Sequence, residues 1–283
     1  MTAKTAPSGM VLDVRELTAR AGRYLTNEKL VRDNEIEDHI LNDCCGPTCL
    51  EPGPYSFADG KIVWDETLIG DRTWLMIAIR AETYPDELYT CPLRCPNVPA
   101  CGRKFEWDVD LEELLKDKTF PLSAEARERM KSGQMFELVV PKKGNKLRYK
   151  LKTGGDRKRF MATRASAKAN GNKKRQEREN DLVNGFLFYG VEIEGVDKKN
   201  RDGRQDFLES LGFRGLNQVR GMMELNDCGI ETTIEAKCPH CGQEFDFELP
   251  FARREFLAPP TQRRKTTAEL RAEAEAAEDD AES

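Results

Sequence analysis

Nine cysteines stand against two histidines in the 283 residues, and five of the nine fall in two segments built on one plan. The segments are YTCPLRCPNVPACGRKFEWDVDL (89–111) and EAKCPHCGQEFDFELPF (235–251). Each opens on CP (Cys91-Pro92, Cys238-Pro239), closes on CG (Cys101-Gly102, Cys241-Gly242) and runs on into alternating apolar and acidic residues. This is the sequence form of a zinc knuckle. The first Cys ends a strand, the second sits at a tight turn, and the Gly after it tolerates positive φ, so backbone amides can point at the thiolates. Two knuckles facing each other supply four sulfurs, a donor set suited to tetrahedral zinc. Matching the two segments from their outer ends selects Cys91, Cys101, Cys238 and Cys241. The first segment also holds Cys95, again followed by Pro, and Cys95 with Cys101 is the alternative to Cys91 with Cys101.

Other chemistry is weaker. CPHC at 238–241 has the spacing of thiol oxidoreductases, but those motifs open a helix, whereas a strand-like FDFEL follows here. His240, between two ligands, reads as a surface side chain. Cys44, Cys45, Cys49 and Cys228 lack the CPxxCG frame and read as packed thiols. No Gly-rich phosphate loop is present, since GGD at 154–156 lacks the Lys and Ser/Thr pattern. His39 has no nucleophile or acid constellation beside it. A catalytic zinc keeps a position open, while four thiolates close the shell, so the expectation is a structural zinc in a non-enzymatic chain. One zinc would tie the segment after residue 85 to the segment ending near 251. Structural zinc contributes ~10–16 kcal/mol of apparent binding free energy. Against a typical net stability of ~5–15 kcal/mol, chelation is expected to melt the domain.

The elements that must position these residues are mixed. Residues 11–45 read as helical, with Leu12, Leu17 and Leu25 on one piece, and Leu30, Val31, Ile36, Ile40 and Leu41 on a second capped by Thr26 or Asn27. Asp71 is placed to cap RTWLMIAIRAETY, which is apolar nearly all round and therefore a buried helix. After Pro85 the period falls to two: Phe105, Trp107 and Val109 alternate with acids. FELVVP (136–141) and LRYKL (147–151) form a hairpin across KKGNK, and 182–196 is apolar but of ambiguous type. Residues 206–225 read as two helical pieces broken near Gly212, and Ile230, Thr232, Ile234 and Ala236 alternate into the second knuckle. Without regular βαβ alternation, the class is α+β, helices plus hairpins clasped by a two-knuckle, four-cysteine zinc site.

Composition limits the function classes. Charged residues make up 34%, the mean hydropathy is −0.67, and the formal charge of −5 with a pI near 5.5 argues against a simple basic nucleic-acid binder. No run approaches the ~18 apolar residues of a membrane span, and MTAKTAPSGM lacks the apolar core of a signal peptide. The net charge hides an asymmetry: Lys142 to Arg178 carries fifteen Lys/Arg against two acids, while Glu269 to Ser283 carries seven acids and one Arg. The basic stretch reads as a solvated insertion or a patch for an acidic partner, and the acidic tail as disordered or a frayed helix. The organisation is then an N-terminal helical part (1–84), a zinc-clasped α+β core (85–259) with a basic insertion near 154–182, and an acidic tail (260–283).

The order of these motifs resembles the baseplate hub assembly proteins, or hub assembly chaperones, of contractile-tailed phages of the T-even type. It is carried by LTARAGRYLTNEKLVRDNEIEDHIL, GDRTWLMIAIRAETY, the CP…CG knuckle with FEWDVDL, and FELVVP…LRYKLKTGGD. GVEIEGV, DFLESL…LNQVRGMMEL and CPHCGQEFDFELPF…EFLAP continue it to about residue 259. The order of motifs, and no single one, carries the likeness. The resemblance implies a tail baseplate component or assembly factor, assembled in the host cytoplasm. Its partners would be hub, tail-tube or tape-measure proteins, and the paired knuckle would be structural. The chain departs from the pattern in its enlarged first knuckle, its long basic 156–181 segment and its added tail at 262–283. The competing expectation is a zinc-ribbon regulator binding nucleic acid through 142–178. Against it, Phe105, Trp107, Phe245 and Phe247 alternate with acids that repel phosphate.

Overall fold

A 15-residue helix, Ile69–Thr83, lies at the centre, with every side chain from Asp71 to Ala81 buried. From Trp74 to Ile79 its sequence is apolar on every side, and a helix of that kind must be surrounded. The structure, a computed structural model, describes residues 2–25, 27, 30, 35–169, 181–188, 190–251 and 254–257. The acidic tail at 260–283, the basic residues 170–180, and Thr26 and Val31 of the N-terminal region lie outside the described residues.

The chain opens with a hairpin of β1 (Thr2–Thr5) and β2 (Val11–Val14), followed by α1 (Ala19–Leu25) and α2 (Ile36–Cys45). Residues 11–14 were expected to be helical and are a strand. Leu12 and Val14 alternate in burial with Val11 and Asp13, and that period-two pattern is satisfied by pairing with Thr2–Thr5. The central helix, α3, packs against α2, β2, α4 (Leu111–Asp117) and β9 (Gly229–Ile230). Asp71 does not cap it. The helix begins two residues earlier, at Ile69, and Asp71 is fully buried, accepting from the Ser8 N–H at 2.8 Å and the Tyr55 hydroxyl at 2.6 Å.

Around this centre the expected pieces recur. β6 (Phe136–Val139) and β7 (Lys146–Tyr149) pair across the KKGNK turn, and β8 (Glu192–Ile193) adds to β7. The ambiguous apolar run resolves into α7 (Asp181–Phe188) followed by β8. The pieces broken near Gly212 are α8 (Arg201–Glu209) and α9 (Gly212–Glu224). The short β5 (Thr119–Phe120) pairs with β9, and α5 (Ala124–Lys131) follows β5. Within the basic stretch, α6 spans Gly154–Ala169. Arg157 pairs with Glu37, and Lys158 with Asp38 and, at 2.6 Å, with Asp65. The same two acids receive Arg72 of α3, only 1% exposed, at 2.7 and 2.5 Å. Thus cations in the first turns of α6 help dock it onto α2 and α3. The architecture is α+β with small antiparallel sheets.

Two hairpins stand apart in their burial. β3 (Tyr89–Arg94) pairs with β4 (Lys104–Val109), and β10 (Thr233–Lys237) with β11 (Glu244–Glu248), each as a separate two-stranded sheet. At their base, Tyr89 meets Phe256 of α10 (Arg254–Leu257) edge-on at 4.9 Å, and Cys91, Val109 and Leu249 join the main core. Toward their ends most side chains are exposed or half-buried.

Candidate metal centre

The two hairpin ends are built on one plan. Beyond the last strand pair of the first hairpin, Arg94 with Lys104, the Cys95 N–H donates to the Arg103 carbonyl at 2.9 Å. Beyond Lys237 with Glu244, the Cys238 N–H donates to the Gln243 carbonyl at 2.9 Å. Each hairpin thus carries a Cys one residue past its first strand. A second Cys follows, then a Gly and one more residue before the return strand. Gly102 and Gly242 have φ of +61° and +74°, the left-handed conformation that favours glycine and closes both turns. The first turn is longer, holding Pro96 to Ala100, and is closed by the Cys101 and Gly102 N–H groups on the Asn97 carbonyl.

Four sulfurs meet between these ends. Cys95, Cys101, Cys238 and Cys241 have ligand atoms within 4.8 Å of one another, and no other such group of three or more His, Cys, Asp or Glu occurs among the described residues. Cys95 Sγ lies 3.6 Å from Cys241 Sγ, and Cys101 Sγ lies 3.9 Å from Cys238 Sγ, across sequence separations of 146 and 137. A tetrahedron with metal–sulfur bonds of about 2.3 Å has edges of about 3.8 Å, so the spacing fits one four-coordinate ion. Cys95 and Cys238 are buried, Cys101 half-buried and Cys241 exposed. These four cysteines could hold a metal ion.

The outer-end match to Cys91 is therefore corrected. The group contains the alternative, Cys95, with Cys101, Cys238 and Cys241. Cys91 sits inside β3 opposite Trp107, 1% exposed and part of the main hydrophobic core. Four residues of strand rise about 13 Å, too far for Cys91 and Cys95 to exchange places. The misplacement came from ending the strand at the first CP. Pro92 continues β3, because each strand of a two-stranded hairpin has a free edge where a missing N–H does no harm. The signal was the alternation Tyr89, Cys91, Leu93, which pairs in register with Val109, Trp107, Phe105 and carries the strand to Arg94.

Electrostatics separate the thiols. Burial pushes the Cys238 thiol up, but N–H groups of His240 and Cys241, with the sulfurs of Cys241 and Cys95, outweigh it and bring the thiol down to about 7. Burial raises Cys95 to about 11, against an N–H from Asn97, and the three neighbouring sulfurs add to the rise. Amides two residues past each first Cys thus point at its sulfur, as a knuckle requires. Burial, with Asp108 adding, pushes Cys91 up to about 12. Burial and Asp43 raise Cys44 to about 12, and burial raises Cys45 and Cys228 further. Cys44 donates to the Glu16 carbonyl and Cys49 to the Gly60 carbonyl, so these read as packed thiols. His240 is exposed, and His39 is half-buried, stacked on Tyr24 at 4.8 Å.

No protein-family model, no curated protein and no solved structure matches this chain. Among the described residues, no helix is long and apolar enough to cross a membrane.

Proposed function

We propose that this protein is a structural or assembly component of a contractile-tail baseplate whose two hairpins are clasped by one structural zinc. The observation that carries the zinc reading is the convergence of four thiols from hairpins 137 or more positions apart, at the edge lengths of a zinc–thiolate tetrahedron. Four sulfur donors leave no position for water or substrate, which supports a structural ion over a catalytic one. Soft thiolate ligands favour zinc or iron among available metals, and zinc needs no redox partner. The baseplate part of the reading rests on the order of motifs along the chain.

The metal's task is narrower than holding the whole chain together. The main core includes Cys91, Val109 and Leu249 at the hairpin bases but not Cys95, Ala236 or Cys238 near the ends. Around α3 that core closes without the four sulfurs. Metal loss is then expected to free the hairpin ends and leave α3 packed, in place of the global melting that stability magnitudes alone suggest. A rigid two-hairpin end suits a docking element in an assembly. The nucleic-acid alternative draws on the basic stretch, and Arg157 and Lys158 of that stretch already face Glu37, Asp38 and Asp65.

Two measurements test the reading. Elemental analysis of the purified protein should give one zinc per chain. Mass spectrometry of purified tails and their assembly intermediates should find this chain in fixed stoichiometry with hub or tube proteins. Its absence from every such intermediate, together with a salt-sensitive shift of DNA or RNA mobility, would favour the regulator.

A further inference from the structure

We propose that the same four sulfurs form a second, metal-free clasp: a peroxide-class oxidant displaces the ion and links the hairpins by disulfides Cys95–Cys241 and Cys101–Cys238. The proposal rests on the zinc reading for what is displaced, and on sulfur geometry for what forms. Contacts of 3.6 Å and 3.9 Å each join one hairpin to the other, and together they use all four thiols. Behind the sulfurs, Phe105 and Phe245 meet edge-on across the hairpins, with ring centroids 6.2 Å apart. Each ring lies four residues past the second Cys of its own hairpin. This contact involves no metal and holds the ends abreast while the ion leaves.

Access sets the order of events. Cys241 is exposed and Cys101 half-buried, while their partners Cys95 and Cys238 are buried. Each cross-hairpin pair therefore holds one sulfur that a small oxidant can reach and one sheltered sulfur beside it. The Cys241 thiolate attacks the peroxide O–O bond, forming a sulfenic acid and releasing hydroxide, which takes a proton to become water. The Cys95 thiolate then attacks Cys241 Sγ, the S–S bond forms, and the sulfenic oxygen leaves as a second water after protonation. Each pair of thiolates consumes one peroxide and two protons and yields one disulfide and two waters. Repeating the step at Cys101 and Cys238 removes the last two thiolates and frees the divalent ion. The clasp thus changes chemistry without opening. A component built in a reducing cytoplasm and later exposed outside the cell would keep its hairpin ends joined.

The test uses the full-length wild-type chain. Metal content is measured first, the protein is treated with hydrogen peroxide, released metal is followed with a chromophoric chelator, and disulfides are mapped by non-reducing proteolysis and mass spectrometry. The expected result is Cys95–Cys241 and Cys101–Cys238 as the dominant pairs, with metal release in step with their formation. Dominant Cys95–Cys101 and Cys238–Cys241 pairs, or sulfinic acids without disulfides, would overturn the proposal. A chain that holds no metal yet yields the cross-hairpin pairs would defeat the zinc reading and leave this one standing. Cys241→Ser should leave Cys101–Cys238 as the one remaining link, and loss of both links in that variant would also count against the pairing.

Discussion

Exchanging serine for cysteine at positions 91 and 95 separates two kinds of thiol only four residues apart. Cys95 is one of four convergent sulfurs outside the main core, and Cys91 is a 1% exposed side chain within it. If four thiolates share ~10–16 kcal/mol of apparent zinc affinity, removing one costs about 3 kcal/mol or more. At 1.4 kcal/mol per factor of ten, that is over a hundredfold in affinity. Cys95→Ser should therefore lose its metal to a competing chelator that wild type resists. Its α3 core should stay folded. Cys91→Ser instead places a hydroxyl in an apolar site, at a cost of ~1–3 kcal/mol. It should keep one metal per chain while its urea midpoint falls. In a chain of this length each kcal/mol moves Tm by roughly 2–4 °C. Elemental analysis after dialysis against the chelator, paired with urea and thermal unfolding of the same samples, reads both quantities. Metal lost by Cys91→Ser and kept by Cys95→Ser would refute the assignment and restore the outer pair.

Other expectations follow from the packing. Chelation should raise amide hydrogen exchange at Cys95, Cys238 and Gly242, whose N–H groups close the hairpin ends, while α3 stays protected; simultaneous exchange of both would mean that the metal holds the whole fold. Gly70→Ala would put a Cβ 1.8 Å from the Cys228 carbonyl oxygen, forcing β9 off α3, whereas a Cβ at Gly221 on α9 would meet nothing within 4 Å beyond its chain neighbours and its own helix backbone. Gly70→Ala should then lower the unfolding free energy measured in urea by ~1–3 kcal/mol or more, and Gly221→Ala should raise it by up to ~1 kcal/mol; equal effects would contradict the close approach. Burial raises the Asp71 carboxyl above its ordinary value, against the Ser8 and Tyr55 hydrogen bonds. A raised folded pKa means the native state binds more protons, so this group makes stability fall as pH rises from about 4 toward its folded value. Asp71→Asn should flatten that slope in urea titrations across pH, and an unchanged slope would assign it elsewhere. Tyr55→Phe removes the donor to Asp71 and the acceptor for the Leu68 N–H, and should cost ~1.5–3 kcal/mol in thermal or urea unfolding.

Much of this molecule is written in local patterns. The all-round apolar run around Trp74 to Ile79 is the buried helix, the break at Gly212 separates α8 from α9, and CPHCG followed by alternating Phe245 and Phe247 is the second hairpin. Such features are legible because periodicity and turn chemistry act over a few residues. The sequence also named the four-cysteine donor set to within one residue, since CP and CG frames repeat on a common plan. Choosing Cys95 over Cys91 required knowing where a strand ends. That depended on the register of Tyr89–Arg94 against Lys104–Val109, a property of the pair and not of either segment. In the same way, Asp71 had the look of a cap until Ser8 and Tyr55 arrived from distant segments to bury it. Likewise Arg157 and Lys158 belonged to a solvated basic stretch until Glu37 and Asp38 were brought beneath them. Types and spacings settled which side chains could do chemistry, and only tertiary contact, which joins segments that local patterns treat separately, decided which of them meet.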